Sequence, residues 1–155
     1  MHERSSAKMV RRNGEDYLER FYIFSLLGFK VFYHVFHMDD PDPLHDHPWD
    51  WGRIILRGRY EETRATPASD GKLHAFRTAT YGPGDVVSRR SATDAHRVRI
   101  AEGPVHTIFW HWRRQRVWGF YNPTGWEATR EEGQDGRKMK GIFLPRKIGQ
   151  APGEA

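Results

Sequence analysis

The chain has 155 residues and a formal charge of +5, and its length suits one domain around one core. Hydrophobic residues make up only 37%, but six Trp, nine Phe and six Tyr each bring a large area to bury. The absence of cysteine excludes disulfides, thiolate zinc sites and cysteine nucleophiles, and no apolar run approaches the ~20 residues of a membrane span.

Residues 1–16 are polar and read as a loosely docked N-terminal segment, with no apolar signal region after them. A cytoplasmic location is therefore the default expectation, with no membrane partner. An aromatic stretch follows from Tyr17 to Met38. Its second half, from Phe29, is β-branched and aromatic, as in a strand covered on both faces. Its first half, Tyr17 to Leu27, fits a strand or a short helix, and periodicity does not decide between them. Asp39 to Pro43 is a turn-rich break.

Short strands then alternate with turn signals. Trp51 to Thr66 is one strand, reversed by Ala68-Ser-Asp-Gly71. Lys72 to Tyr81 runs back to the turn Gly82-Pro-Gly-Asp85. Val86 to Arg89 and His96 to Ile100 come next, and Ala101 to Pro104 reads as a further turn. Val105 to Trp112 and Arg116 to Tyr121 form a last pair around the basic Arg113-Arg-Gln-Arg116. Many short strands with Gly/Pro turns indicate a sandwich or barrel, hence an all-β domain over residues 17–126. Residues 127–155 become charged and Gly-rich and read as a polar C-terminal tail, partly docked through Ile142-Phe-Leu144.

The informative segment is Leu44-His45-Asp46-His47-Pro48. Residues i and i+2 of an extended strand project to one face, so His45 and His47 can offer two imidazoles to one point. A metal shared there sits at ~2.0–2.1 Å from each nitrogen. Gly58 then closes a strand thirteen residues after His45. The turn Pro83-Gly84-Asp85 comes next, with His96 eleven residues after Asp85.

This order resembles the two motifs of the cupin superfamily: a His-x-His pair with a closing glycine, then Pro-Gly-Asp with a later histidine. The match spans residues 44–100. His-Asp-His-Pro-Trp-Asp50, together with Trp118-Gly-Phe-Tyr-Asn-Pro-Thr-Gly-Trp126, is also similar to small bacterial and phage-encoded cupin proteins, a group without a settled activity. The resemblance implies a single double-stranded β-helix, a jelly-roll barrel, with an N-terminal aromatic strand. It also implies one divalent metal on His45, His47 and His96.

One departure matters. Cupins commonly carry a glutamate ligand four residues after the second histidine, where this chain has Trp51. Asp50 stands one place earlier, and Pro48 permits a bulge that could turn it inward. Three outcomes stay open: Asp50 as fourth ligand, a three-histidine site completed by water, or no metal. Asp50 also suits a partner that fixes an imidazole tautomer. Imidazole ligands suit Fe(II), favoured here, as well as Mn(II), Ni(II), Zn(II) and Cu(II).

In a regular strand Arg53 and Trp51 share the face of His47. Arg53 is then expected to hold a substrate carboxylate or phosphate, with Trp51 as an apolar wall. His34 and His37 fall on opposite faces of their strand, as do His106 and His111, and His74 reads as surface. Val98 is expected inside, with Arg97 and Arg99 outside.

The leading functional expectation is a dioxygenase-like metal enzyme acting on a small anionic molecule. A ligand-binding or sensory barrel without turnover is the alternative. Nucleic-acid binding through Arg89, Arg90, Arg97, Arg99 and Arg113–Arg116, with Trp112 and Trp118 stacking on bases, is a less favoured third. A homodimer is compatible with the aromatic N-terminal stretch.

Overall fold

The computed structural model describes residues 7–12 and 14–129. They form nine strands: β1 (Ala7–Arg12), β2 (Glu15–Leu26), β3 (Phe29–Phe36), β4 (Trp51–Pro67), β5 (Leu73–Tyr81), β6 (Val86–Arg90), β7 (Ala95–His111), β8 (Gly119–Asn122) and β9 (Gly125–Ala128). The main sheet has the order β1-β2-β3-β7-β4-β5, with β6 also paired to β4, and every pairing is antiparallel. No helix among the described residues is long and apolar enough to cross a membrane.

The two 17-residue strands β4 and β7 make this sheet curl. They pair along nearly their whole length, while β3 and β6 flank one half and β5 flanks the other. Between the halves the β4–β7 register shifts three times, from Ile55 to Tyr60. Such irregularities add bend and twist, which closes a sheet upon itself.

The shifts also change which side chains point inward. Trp51, Arg53 and Ile55 are buried before the bend, and Tyr60 and Glu62 after it, so odd positions give way to even ones. Gly58 sits at the reversal with φ +78°. A Cβ there would lie 2.6 Å from the carbonyl oxygen of Pro104 and 2.7 Å from that of Glu102. Both obstacles are backbone, so Gly58→Ala is expected to destabilise the fold by about 3 kcal/mol, read as a lower urea midpoint. The core cluster Ile55, Tyr60, Val98 and Val105 packs around this bend with Phe36, Tyr81 and Ile100.

Several expectations are corrected. The polar opening supplies strand β1 and the start of β2 within residues 1–16, and β1 pairs with β2 from Ala7↔Phe21 to Arg12↔Glu15. Tyr17 to Leu26 is strand, resolving the helix alternative. Ala101 to Pro104 does not turn the chain: β7 runs through it, because β4 bulges alongside and keeps the two strands paired at Arg59↔Glu102. The partner of β8 is β9, not the strand ending near Trp112, so Trp126 and Glu127 belong to a closing hairpin. Ile142–Leu144 lie outside the described residues.

Candidate metal centre

Residues 44–47 run as a short extended segment between β7 and β8. His45 exchanges both backbone hydrogen bonds with His96, at 3.0 and 2.9 Å, and bridges Phe120 on its other side. His47 is tethered two residues on, its amide donating to Ala92 O at 3.0 Å. Alternation along this segment aims His45 and His47 to one side, and the backbone bridge sets His96 next to them.

The three rings form a near-equilateral triangle, with centroids 5.3 Å (His45–His47), 5.1 Å (His45–His96) and 4.9 Å (His47–His96) apart. One nitrogen from each lies within 4.8 Å of the others. His47 Nε2 and His96 Nε2 are 2.8 Å apart. Two imidazole nitrogens that close need a shared proton or a shared cation between them.

On His45 and His96 the opposite nitrogen is already engaged. His96 Nδ1 lies 2.7 Å from Glu62 Oε1, and His45 Nδ1 lies 3.2 Å from Pro43 O and 3.4 Å from Asp40 Oδ2. Each acceptor fixes the proton on Nδ1 and leaves the Nε2 lone pair for a cation, as is usual around metal histidines. Burial holds His47 well below the ordinary histidine value, with His96 and His45 adding to the effect. Burial also lowers His96, although Glu62 pulls the other way. Neutral imidazoles with inward lone pairs are the donor set that a divalent ion requires.

Glu62 is itself held. Burial pushes its carboxyl up, but the bond from His96 and the charges of Arg53 and Arg90 outweigh this and leave it below the usual range. Arg53 Nη2 approaches Glu62 Oε2 at 3.7 Å and Arg90 Nη2 at 3.8 Å, ion-pair distances too long for hydrogen bonds.

Several solved structures share this architecture. A cupin-2 domain protein from Rhodospirillum rubrum aligns with a TM-score of 0.59 and 15% identity over 78% of each chain. The chain has the cupin fold. The iron(II) form of HppE aligns at TM-score 0.56 and 13% identity, over 72% of this chain. Oxalate decarboxylase from Lactobacillus farciminis, solved as a formate complex, aligns at 0.54 and 9% over the same share. The chain spans 58% of the length of HppE and 31% of the decarboxylase. No family model matches the sequence, and neither does any curated protein.

Within this cupin barrel, the other expected site residues lie as follows. Asp50 is turned away from the triad: Oδ2 accepts from Arg89 at 2.6 and 3.0 Å, and Oδ1 from the Ala92 amide at 2.9 Å. Those bonds hold its carboxyl low despite the opposing effect of burial. Asp50 thus fastens the 91–94 turn ahead of His96, and the carboxylates oriented on the imidazoles are Glu62 and Asp40. Trp51 does reach the triad, its ring 4.9 Å from His96 and 5.4 Å from His47. Arg53 is inside but enclosed, its guanidinium 4.7 Å from the Tyr60 ring and 4.4 Å from that of Tyr81.

The remaining histidines separate by face. His34 and His111 are buried, whereas His37 pairs with Glu19 at 2.8 Å and His74 with Asp70 at 3.7 Å near the surface. His106 meets the Tyr33 hydroxyl on the outside of the sheet. Among the arginines considered for nucleic acid, Arg89 lies on Asp50 with its guanidinium 4.8 Å from the Trp112 ring. Arg113 donates to Leu27 O, and Arg116 is bound to Asp46.

Asp46, the residue between the two histidines, is fully buried on the opposite face. Its carboxylate accepts from Arg116, from the Gly119 amide at 2.7 Å and from Trp126 Nε1 at 2.9 Å. This is where the Trp118–Trp126 stretch meets His45–Pro48. The β8–β9 hairpin is pinned behind the metal face by this carboxylate together with the backbone bonds from Asp46 N to Gly119 O at 3.1 Å and from Tyr121 N to Leu44 O at 2.8 Å.

Proposed function

We propose that this protein is a mononuclear metalloprotein, with His45, His47 and His96 as the ligands, acting on a small anionic molecule in the manner of a non-haem iron enzyme. The observation that carries the reading is the convergence of three imidazoles, with the outer nitrogen of His45 tied to Pro43 and Asp40 and that of His96 tied to Glu62. Support comes from fold neighbours that include an iron(II) protein and a decarboxylase. Fold alone does not carry chemistry across, so the site has to make the case.

A bound Fe(II), or the Mn(II), Ni(II), Zn(II) or Cu(II) that imidazole also accepts, would supply Lewis acidity and open coordination positions. The chain's own residues do the rest. Glu62 holds a proton on His96 Nδ1, Asp40 and Pro43 hold one on His45 Nδ1, and Trp51 excludes water from one side of the triad.

The test begins with untagged, metal-stripped protein titrated with Co(II). One equivalent per chain is expected, with the visible absorption of a nitrogen-ligated ion. His45→Ala, His47→Ala and His96→Ala are each expected to weaken binding by about 100-fold or more, since each removes one of three ligands. Stoichiometric binding that survives all three substitutions, or none in the parent, defeats the metal reading. Iron-loaded protein would then be assayed for oxygen uptake with thiol and carboxylate compounds. A compound that binds but is recovered unchanged places the protein with the ligand-binding alternative.

A further inference from the structure

The arginine expected to meet the substrate, Arg53, is closed in by two tyrosine rings and faces Glu62. A different arginine keeps its terminal nitrogens unengaged among the described residues. Arg20 on β2 stands opposite His34 on β3, and its Nε donates to His34 Nε2 at 3.2 Å. The guanidinium lies 5.1 Å from the Phe32 ring centroid. Among the described residues no group accepts from its two terminal nitrogens, and no carboxylate pairs with it. Arg12, Arg64, Arg89 and Arg116, by contrast, each have an aspartate.

Arg20 is linked to the metal face by a column of rings. Phe32 stacks on His111 at 5.7 Å and 21°, His111 on Trp49 at 4.3 Å and 9°, and Trp49 on His47 at 4.9 Å and 10°. These contacts run unbroken from the guanidinium to a metal ligand. Burial lowers Arg20 itself, the mark of a guanidinium short of water.

We propose that Arg20 is the anion-recognising residue of the metal pocket, its two terminal nitrogens taking an oxyanion of the carboxylate or phosphate class while Trp49, His111 and Phe32 wall the path to the metal. A planar fork with two adjacent free donors matches the spacing of two oxygens on one carboxylate or phosphate. Flat rings along the wall suit an apolar or planar remainder of the ligand. The identification of that anion as a substrate rests on the metal reading above. The anion site itself does not.

The test uses acetate and inorganic phosphate, titrated separately into metal-free and Co(II)-loaded protein and followed by tryptophan fluorescence and calorimetry. The parent is expected to bind at least one of them saturably in both states, and the preferred one assigns the class. Arg20→Gln should weaken that binding on the order of tenfold or more, and Arg20→Lys by less, with Co(II) affinity and absorption unchanged. Equal anion affinity in Arg20→Gln and parent overturns the proposal, as does no saturable binding of either anion. Failure of the parent to bind Co(II) removes the metal reading, while the metal-free titrations still decide the role of Arg20.

Discussion

Glu62→Gln is expected to lower the unfolding free energy by about 3–5 kcal/mol, the range seen when one partner of a buried ion pair is removed. Glu62 is 1% exposed, and Arg53 is 3% exposed with none of its three guanidinium nitrogens hydrogen-bonded. Arg53 and Arg90 both look to the same carboxylate for counter-charge. A glutamine preserves shape and can still accept from His96 Nδ1, but it leaves the enclosed guanidinium without an opposite charge. The tyrosine rings at 4.7 and 4.4 Å compensate only in part. Urea unfolding of Glu62→Gln, Arg53→Met and the double variant forms a cycle that isolates the pair. The double variant should lose less than the sum of the two, with a coupling of about 1–3 kcal/mol. Additive losses, or a Glu62→Gln protein as stable as its parent, would show that the carboxylate is not the counter-ion.

The same substitution bears on the metal. Glu62 orients His96 and raises its basicity, and loss of such an outer partner typically costs about 10–100-fold in metal affinity. Glu62→Gln keeps the acceptor and should fall at the low end of that range, whereas Glu62→Leu removes it and should fall at the high end. A structural role alone would not separate the two substitutions by Co(II) affinity.

Why some of this was readable and some not follows from strand parity. His45 and His47 could be placed on one face because alternation over two residues needs no knowledge of the rest of the fold. His96 came from the order of the Pro-Gly-Asp turn and a following histidine, which is a resemblance and not a derivation. Glu62 escaped because parity counted from Trp51 puts it outside, and only the register shifts around Gly58 bring it in. The signal was present in Arg57-Gly58-Arg59, where a glycine interrupts a strand without turning it.

Asp50 was singled out because it stands one place before the position where cupins commonly carry a glutamate ligand. Its side chain instead answers to Arg89 and the Ala92 amide, forty residues on. Arg20 gave no sequence signal, since its role depends on the Arg20↔His34 register between two aromatic strands. Gly103-Pro104 reads as a turn by composition, yet it lies within β7, facing the bulge of β4. Local rules thus recovered the alternation and most strand positions. What they missed was set by contacts across the bend.

The second large effect concerns a residue that presents no donor to the metal. Asp46→Ala is expected to weaken Co(II) binding by about tenfold or more while leaving all three imidazoles in the chain. Asp46 is the one carboxylate to which Arg116, the Gly119 amide and Trp126 Nε1 all donate, and it has no exposure to water. Without it the β8–β9 hairpin keeps only its backbone bonds to residues 44–46, and the buried Gly119 amide, the part-buried Arg116 and the Trp126 indole lose their acceptor. Stability should also fall, by about 3 kcal/mol, since such charge-assisted bonds contribute ~1.5–3 kcal/mol each and the hairpin can partly relax. Trp126→Phe removes one donor only and should cost about 1 kcal/mol with little change in metal affinity. Gly58→Ala provides the control, because it destabilises the barrel at the bend and not behind the histidines. If Gly58→Ala weakens Co(II) as much as Asp46→Ala does at matched stability, the effect is loss of fold alone. If only Asp46→Ala does so, the hairpin is what holds His45 and His47 in register with His96.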